Sequence, residues 1–499
     1  MSYPLSVVGP HPMTDSIDSR QLKHILQPLA LQDWQAFGSR LRRLASDENQ
    51  WQLLSTFLPY LVSSLAETSE VERVLVNFER FADGALDRTA LFEILAETPR
   101  AVEILVKLFA SSQFLTEILL HRPEYFNSLR EQKRLARKQN PEQYHQIAQT
   151  LTGNCETYEE KLDTLRRFQR KELLRIGTCD LLDLYDVAEA TRQLSHLAIG
   201  ILRSCYKIVC GECEKGEKNF IIVGMGKLGG KELNYSSDID LLFLTTNDSH
   251  AYQRVGEQLI DALNRVTSEG FLYRVDMRLR PWGQVGPLGP TTSGFHRYLN
   301  EHARLWEKQA LLKARVIAGN RPAGNEFLRR AKTLLFHTPA ETLRTQVFSM
   351  KQLTESYLIS TGRKWGEIKL GEGSIRDIEF TTQYLQMLHG KNTPDILNRN
   401  TLKALSKLLN HHIISVDAYR ILADGYTFFR TIEHHLQLMH NRQTQTLPSD
   451  MEAIAQLARR LGFLEIDAGN EFLSQYEHHR TAIRSVYLNF MGKTPVNDP

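Results

Sequence analysis

The sequence predicts an α+β chain that is mostly α overall, a small α/β centre flanked by N- and C-terminal helical regions. Three observations carry that expectation. Apolar residues recur at three- and four-residue intervals from about Ile17 to Leu151, from Glu159 to Ile208 and from about Glu341 to Asn489, the period of amphipathic helices. Between Asn219 and about Ile317 the texture changes to short apolar runs beside glycines, as in buried strands. A length of 499 residues also leaves room for about three domains or sub-domains. The expected divisions are a helical region at 1–150, a central domain with its leading helices at 151–325, a C-terminal helical bundle at 335–490 and a disordered tail at 491–499.

Each element has a local reason. Met1 to Ser16 carries Pro4, Pro10 and Pro12 and lacks a charged-then-apolar leader, so it reads as a floppy, untargeted terminus. The runs starting at Ala90 and Val102 show helical spacing, and Arg122-Pro123 and the polar run Glu131 to Gln149 punctuate the pattern. Leu162, Leu165, Phe168, Leu173, Leu174 and Leu181 form a packing stripe. Phe220 to Val223 and Ile239 to Leu244 read as strands. Leu272 to Arg280 alternates and stops at Pro281, which suits a third. Val255, Leu259, Leu263 and Val266 mark a helix between the second and third strands. Leu402 to Leu409 and Ala418 to Met439 are long C-terminal helices, and Gly492 to Pro499 is a polar tail.

Composition excludes several classes. Hydrophobic residues at 42% and charged residues at 24% are ordinary for a folded chain. A net charge of +3 argues against coating a polyanion, so no nucleic-acid partner is expected. No stretch approaches the ~18 apolar residues of a membrane span. Five cysteines cannot form a dense disulfide framework, which points to a reducing, cytoplasmic compartment.

The segment from Gly224 to Asp240 is the richest in chemistry. Gly224, Gly226 and Gly229 spell a dinucleotide fingerprint, but that fingerprint needs a full helix before the next strand. Lys231 to Ser237 leaves no room for one, and Asn234, Tyr235, Ser236 and Ser237 are poor helix interior. The alternative joins the glycines to Asp238 and Asp240. Residues two apart on a strand share a face, so the two carboxylates can converge on a hard divalent cation, Mg2+ or Mn2+. The amides around Gly226, Gly229 and Gly230, with Lys227, Lys231 and Ser237, would receive phosphate oxygens. The plain alternative is a surface turn with two solvated aspartates.

Asp276, Arg278 and Arg280 share one face if their segment is a strand, a third carboxylate beside two guanidinium groups. Lys313 and Arg315 place two more cations on one face if extended. Ile368 to Phe380 reads as a glycine loop entering a helix, with Ser374 and Asp377 at capping-box spacing; Lys369, Arg376 and Glu379 stand there as possible substrate-side groups. Cys205, Cys210 and Cys213 lack an evident fourth zinc ligand. The pairs His411-His412 and His434-His435 point in different directions on a helix and read as surface or packing residues.

Two glycines, an Asp-x-Asp strand and a third acidic strand resemble the polymerase-beta-like nucleotidyltransferases, which implies a small mixed sheet as the core. Four longer stretches are closer still to one family: G-M-G-K-L-G-G-K-E-L-N-Y-S-S-D-I-D-L, Y-R-V-D-M-R-L-R-P-W-G-Q-V-G-P-L, W-E-K-Q-A-L-L-K-A-R and I-K-L-G-E-G-S-I-R-D-I-E-F. In that order, from about residue 70 to 490, they resemble the bacterial glutamine synthetase adenylyltransferase/adenylyl-removing enzymes. Q-T-Q-T-L-P at Gln443 to Pro448 resembles a family segment too.

The resemblance implies that Asp238, Asp240 and Asp276 hold two Mg2+ ions flanking an in-line displacement at the AMP phosphorus. It implies glutamine synthetase as partner, a PII signal protein as a further one, and ATP, ADP and phosphate as small ligands. The family carries two catalytic units, and this length accommodates one. The spelling Gly-Met-Gly before Lys227, Ser-Asp-Ile-Asp at 237–240, Lys369-Leu-Gly and Arg376 before Asp377 is similar to the unit that removes AMP by phosphorolysis. Removal, addition, a non-catalytic nucleotide-binding module and a uridylyltransferase of a PII protein remain the competing expectations.

Overall fold

The computed structural model describes residues 17–492 except 30, 69, 132–134, 212–218, 248–251, 441–443 and 464. The chain divides into two compact units, Met1–Leu135 and Ala136–Pro499.

The first unit is all helical among its described residues. Aspartates at 18, 33, 47 and 87 accept backbone N–H bonds at the starts of four helices, satisfying donors that have no intrahelical partner. Its core is aromatic: Phe57 meets Phe92 edge-on at 5.6 Å, and Phe81 meets Phe126 in the same way.

The second unit is built on a four-stranded sheet, β1 (Phe220–Gly224), β2 (Ile239–Thr245), β3 (Val275–Asp276) and β4 (Arg315–Gly319). The order is β3-β2-β1-β4, with β1 antiparallel to β2 and β4 and β2 parallel to β3, so the sheet is mixed. Every residue of β1 is buried, which explains its unbroken apolar spelling. Ile221, Val223, Leu242 and Leu244 pack with Phe295, Phe327 and Leu328 from helices Thr292–Glu301 and Arg321–Thr333.

The first two strands fall where periodicity predicts them. The third does not. β3 is two residues long, and the chain turns immediately after Asp276. The cause is local: the Asp276 carboxylate accepts the Arg278 backbone N–H at 2.8 Å and draws the chain off the sheet edge. Arg278 and Arg280 therefore lie in a turn, not on a strand face. β4 occupies a segment for which the sequence offers only a conditional extended reading.

The polar run before residue 150 is partly helical. Asn140 and Gln143 form a reciprocal capping box, and the helix Pro141–Thr152 packs within the second unit, Tyr144 lying against Gly200 of helix Val187–Gly211. The C-terminal helices Ala340–Ser360, Ile375–His389, Thr401–Asn410, Val416–His440, Met451–Arg460 and Ala468–Met491 share one core around Val347, Ile378, Leu405, Phe429 and Phe472. Met491 ends the last helix and is buried, so the helix runs to the expected start of the tail; residues 493–499 lie outside the described residues. Among the described residues no helix is long and apolar enough to cross a membrane.

Candidate active site

The glycines after β1 are spaced for close approach. Gly226 adopts φ +49, and a Cβ there would stand 2.5 Å from Asp240 Oδ2. A five-residue helix, Gly226–Gly230, follows and stops at Lys231 in the left-handed region. A Cβ on Gly229 would collide with the Lys313 carbonyl oxygen, and Arg315 Nε donates to the Gly229 carbonyl at 2.8 Å. The Met225 N–H donates to the Asp240 carbonyl at 2.9 Å, tying the glycine turn to β2.

The C-terminal helices grip the loop that leads into β2. Arg430 donates to Asn234 Oδ1 at 2.5 Å and to the Glu232 carbonyl. Gln437 Oε1 accepts the Ser236 N–H at 3.2 Å. Asp180 accepts from the Tyr235 hydroxyl at 3.0 Å and meets buried His434 at 2.5 Å, so this histidine is a packing residue as expected. These bonds position Ser237 and Asp238 at the mouth of the sheet.

Three carboxylates line the opening there. Asp240 and Asp276 are register partners on parallel neighbours β2 and β3, so their side chains lie side by side. Burial, and then the charge of Asp276, pushes the Asp240 carboxyl up to about 6. Burial acts on Asp276 in the same sense, but Arg278 outweighs it and holds that carboxyl below its ordinary value; Arg278 Nη2 lies 2.5 Å from Asp276 Oδ2. Asp238 accepts from Arg274 Nε at 2.6 Å.

The three face a cleft of about 420 Å³. Gly226, Lys227, Ser237, Arg278, Lys313, Lys369, Arg376 and Glu379 also line it, so most of the residues singled out in the sequence do converge.

Several of the expected phosphate ligands are engaged elsewhere. Lys227 Nζ donates to Glu433 Oε1 at 2.5 Å. Glu433 is fully buried; burial raises its carboxyl, but Lys227 and Arg430 outweigh that and hold it at about 2. Lys313 Nζ lies 2.9 Å from Glu232, 2.8 Å from Glu379 and 3.1 Å from the Thr401 hydroxyl. Lys231 turns away from the cleft onto His196 Nε2 at 3.0 Å. Arg280 donates to the Gly286 and Met277 carbonyls and shapes the turn beside a shallower opening next to Asp238. Arg315 is spent on the Gly229 carbonyl. The physical reason is common to all: a cation in a partly buried site needs a partner, and nearby backbone carbonyls, carboxylates and, for Lys231, an imidazole nitrogen supply one.

The cap at the fourth motif also differs from expectation. Ser374 precedes helix Ile375–His389 but makes no side-chain cap; its hydroxyl donates to the Lys369 and Gly371 carbonyls. Asp377 is fully buried between Lys351 at 2.7 Å and Arg484 at 3.1 Å. Cys205 and Cys210 are free thiols, and Cys213 lies outside the described residues.

Other lining residues escaped the sequence reading. Trp306, Gln309, Gln383, Gln437 and Gln445 edge the cleft. The signal available for Trp306 and Gln309 is the W-E-K-Q-A-L-L-K-A-R stretch itself, of which the sequence reading singles out only Lys313 and Arg315. Glu433 sits at the spacing of Phe429, Ile432 and Leu436, and a charge inside an apolar stripe announces a buried pair. Gln443 lies outside the described residues, but the rest of its segment runs beside the fourth motif: Ile368 N–H donates to the Gln445 carbonyl and Leu447 N–H to that of Gly366, each at 2.9 Å.

The donor set fits a hard divalent cation. All three acidic groups offer oxygen only, and a buried carboxyl raised by a like charge is what a bound cation relieves. Among the described residues no three Asp, Glu, His or Cys side chains are grouped closely enough to hold a metal ion together; Arg274 and Arg278, both well exposed, hold Asp238 and Asp276, which leaves Asp240 and its strand neighbour Asp276 as the closest acidic pair. Mg2+ commonly takes only one or two carboxylates, with substrate phosphates and water completing its shell.

Comparison with known proteins gives two family matches. The model for glutamate-ammonia ligase adenylyltransferase matches residues 102–330, and that for GlnD PII-uridylyltransferase matches residues 351–491. The chain is 33% identical over 429 residues to the bifunctional glutamine synthetase adenylyltransferase/adenylyl-removing enzyme of Pseudomonas aeruginosa, covering 80% of this chain and 43% of that one. The enzyme of the same description from Nitrosococcus oceani is 32% identical over 416 residues, covering 77% and 42%. That from Hahella chejuensis is 33% identical over 388 residues, covering 72% and 40%. The chain thus spans less than half the length of these curated relatives.

Proposed function

We propose, from the premise that residues 102–330 belong to the glutamate-ammonia ligase adenylyltransferase family, that this chain is a nucleotidyltransferase controlling glutamine synthetase through AMP. Removal is the favoured direction. Its support is the spelling of the motifs around Lys227, Asp238, Lys369 and Arg376. The observation that carries the chemistry is the juxtaposition of Asp240 and Asp276 on adjacent strands, facing a cleft lined by cationic side chains.

In removal, a phosphate oxygen attacks the phosphorus of the adenylyl-tyrosine, the bond to the tyrosine oxygen breaks, and ADP and free tyrosine result. In addition, the tyrosine oxygen attacks the α-phosphorus of ATP and pyrophosphate leaves. Asp240 and Asp276 would hold Mg2+, with Asp238 at the rim beside them. When bound, the cation neutralises charge on the phosphoryl oxygens as negative charge gathers in the transition state. The chain's own part is positioning. The glycine turn lets Asp240 and the Lys313 carbonyl pack against the backbone, and the bonds from Arg430 and Gln437 keep the Asp238 loop in place.

The test mixes the chain with adenylylated glutamine synthetase, phosphate and Mg2+ and follows ADP. Asp240→Asn should lower ADP formation by at least ~1,000-fold with an unchanged circular dichroism spectrum. A variant that retains a tenth of the parent rate would refute the assignment. Nucleotide binding without any turnover would favour a regulatory module. A PII signal protein as partner has support from the match at 351–491, and the same match favours a second reading, uridylyl transfer to a PII protein. Parallel labelling from ATP and UTP separates the two acceptors.

A further inference from the structure

Among the described residues five cationic side chains line the cleft: Lys227, Arg278, Lys313, Lys369 and Arg376. Three are committed to carboxylates. Lys227 is held by Glu433, Arg278 by Asp276, and Lys313 by Glu232 and Glu379 together. Neither Lys369 nor Arg376 makes an ion pair among the described residues. The Arg376 Nε atom is buried with no hydrogen-bond partner, while its guanidinium lies 5.2 Å from the Phe380 ring. The two residues are joined through their backbones, Arg376 N–H donating to the Lys369 carbonyl at 2.9 Å. Both line the same cleft as Asp240 and Asp276.

We infer that Lys369 and Arg376 form the anion subsite of the cleft, and that it takes a tetrahedral phosphate: the free phosphate that attacks, which becomes the β-phosphate of the nucleoside diphosphate product. The role rests on the AMP-transfer reading above; the site itself does not. A doubly charged anion between a lysine and an arginine gains charge-assisted hydrogen bonds that Lys227 and Lys313 cannot offer without first breaking a buried ion pair, while Arg278 is held at the exposed rim by Asp276. The guanidinium carbon lies over the Phe380 ring, a cation–π contact that steadies it beside the cleft. The start of helix Ile375–His389 adds a favourable field, since Arg376 stands in its first turn. The phosphate pole is therefore supplied by the C-terminal helical region, and the acidic pole by the sheet.

The probe is inorganic phosphate, titrated calorimetrically into the full chain with and without Mg2+. Lys369→Met and Arg376→Gln should each weaken phosphate binding by about 10- to 100-fold. Lys231→Met, whose amine is bonded to His196 outside the cleft, should leave it unchanged. Lys369 is only partly buried and unpaired, so its variant should fold even if the Arg376 variant does not. Parent affinity in Lys369→Met, or no phosphate binding by the parent at tens of millimolar, overturns the inference. The two readings fail separately. AMP transfer with phosphate affinity untouched by these variants sinks the subsite and keeps the function. Phosphate held by Lys369 and Arg376 in a chain that transfers no AMP does the reverse.

Discussion

Replacing Lys313 by methionine separates a structural cation from a ligand-binding one. Its ammonium group bonds to Glu232 at 2.9 Å, Glu379 at 2.8 Å and Thr401 at 3.1 Å, and its side chain is 10% exposed. Burial raises the Glu379 carboxyl, but Lys313, and then Arg376, outweigh that and hold it well below the usual carboxylate range. Glu379 is thus ionised at neutral pH and depends on the lysine. Removing one partner of such a buried group leaves uncompensated charge and costs about 3–5 kcal/mol. The second unit has roughly 360 residues, and at about 2.1 cal/mol/K of unfolding entropy per residue the melting point should fall by about 4–7 °C. Differential scanning calorimetry at pH 7.5 provides the assay. Adding Glu379→Gln to Lys313→Met should recover part of the loss, because Glu232 keeps the Thr401 N–H bond at 2.6 Å. A melting point within about 1 °C of the parent, with phosphate affinity falling as far as in Lys369→Met, would refute the reasoning and return Lys313 to the ligand.

Gly226→Ala forces a Cβ to within 2.5 Å of Asp240 Oδ2 at a backbone φ of +49, so AMP transfer should fall by about 100-fold or more with the helical content retained; activity close to the parent's would show that the turn relaxes freely. His196 supplies a pH signature. Burial pushes its imidazole down to about 4, while Nδ1 meets the Gln139 carbonyl at 2.9 Å and Nε2 meets the Lys231 ammonium. The unfolded chain takes up a proton near pH 6.5 that the folded chain refuses, so stability is full above that pH and falls as pH drops toward 4, by about 2–3 kcal/mol from this group. In His196→Gln the urea midpoint should change less steeply between pH 6.5 and 4, and an equally steep slope would remove His196 as the source.

Local pattern was a good guide where one residue's neighbours in sequence are also its neighbours in space. The apolar runs of β1 and β2 are legible because their strands are buried. The long C-terminal helices are legible because their apolar stripes repeat. Leu272 to Arg280 misled for a specific reason. Alternation describes an extended chain, but an edge strand with one pairing partner yields easily to a side-chain bond, and Asp276 turned the chain at Arg278. Ser374 misled in a similar way: at capping spacing its hydroxyl found the carbonyls of Lys369 and Gly371 instead.

The sequence by itself determined the helical flanks, the two central strands, the glycine turn and the shared face of Asp238 and Asp240, because a period of 3.6 or 2 is a property of consecutive residues. Tertiary structure alone decided that Asp276 stands beside Asp240 and which cations are already spent. Lys227 finds Glu433, and Lys313 finds Glu379, across long stretches of chain. A charge's availability depends on what lies within a few ångströms of it in space, and spacing along the chain carries no record of that distance.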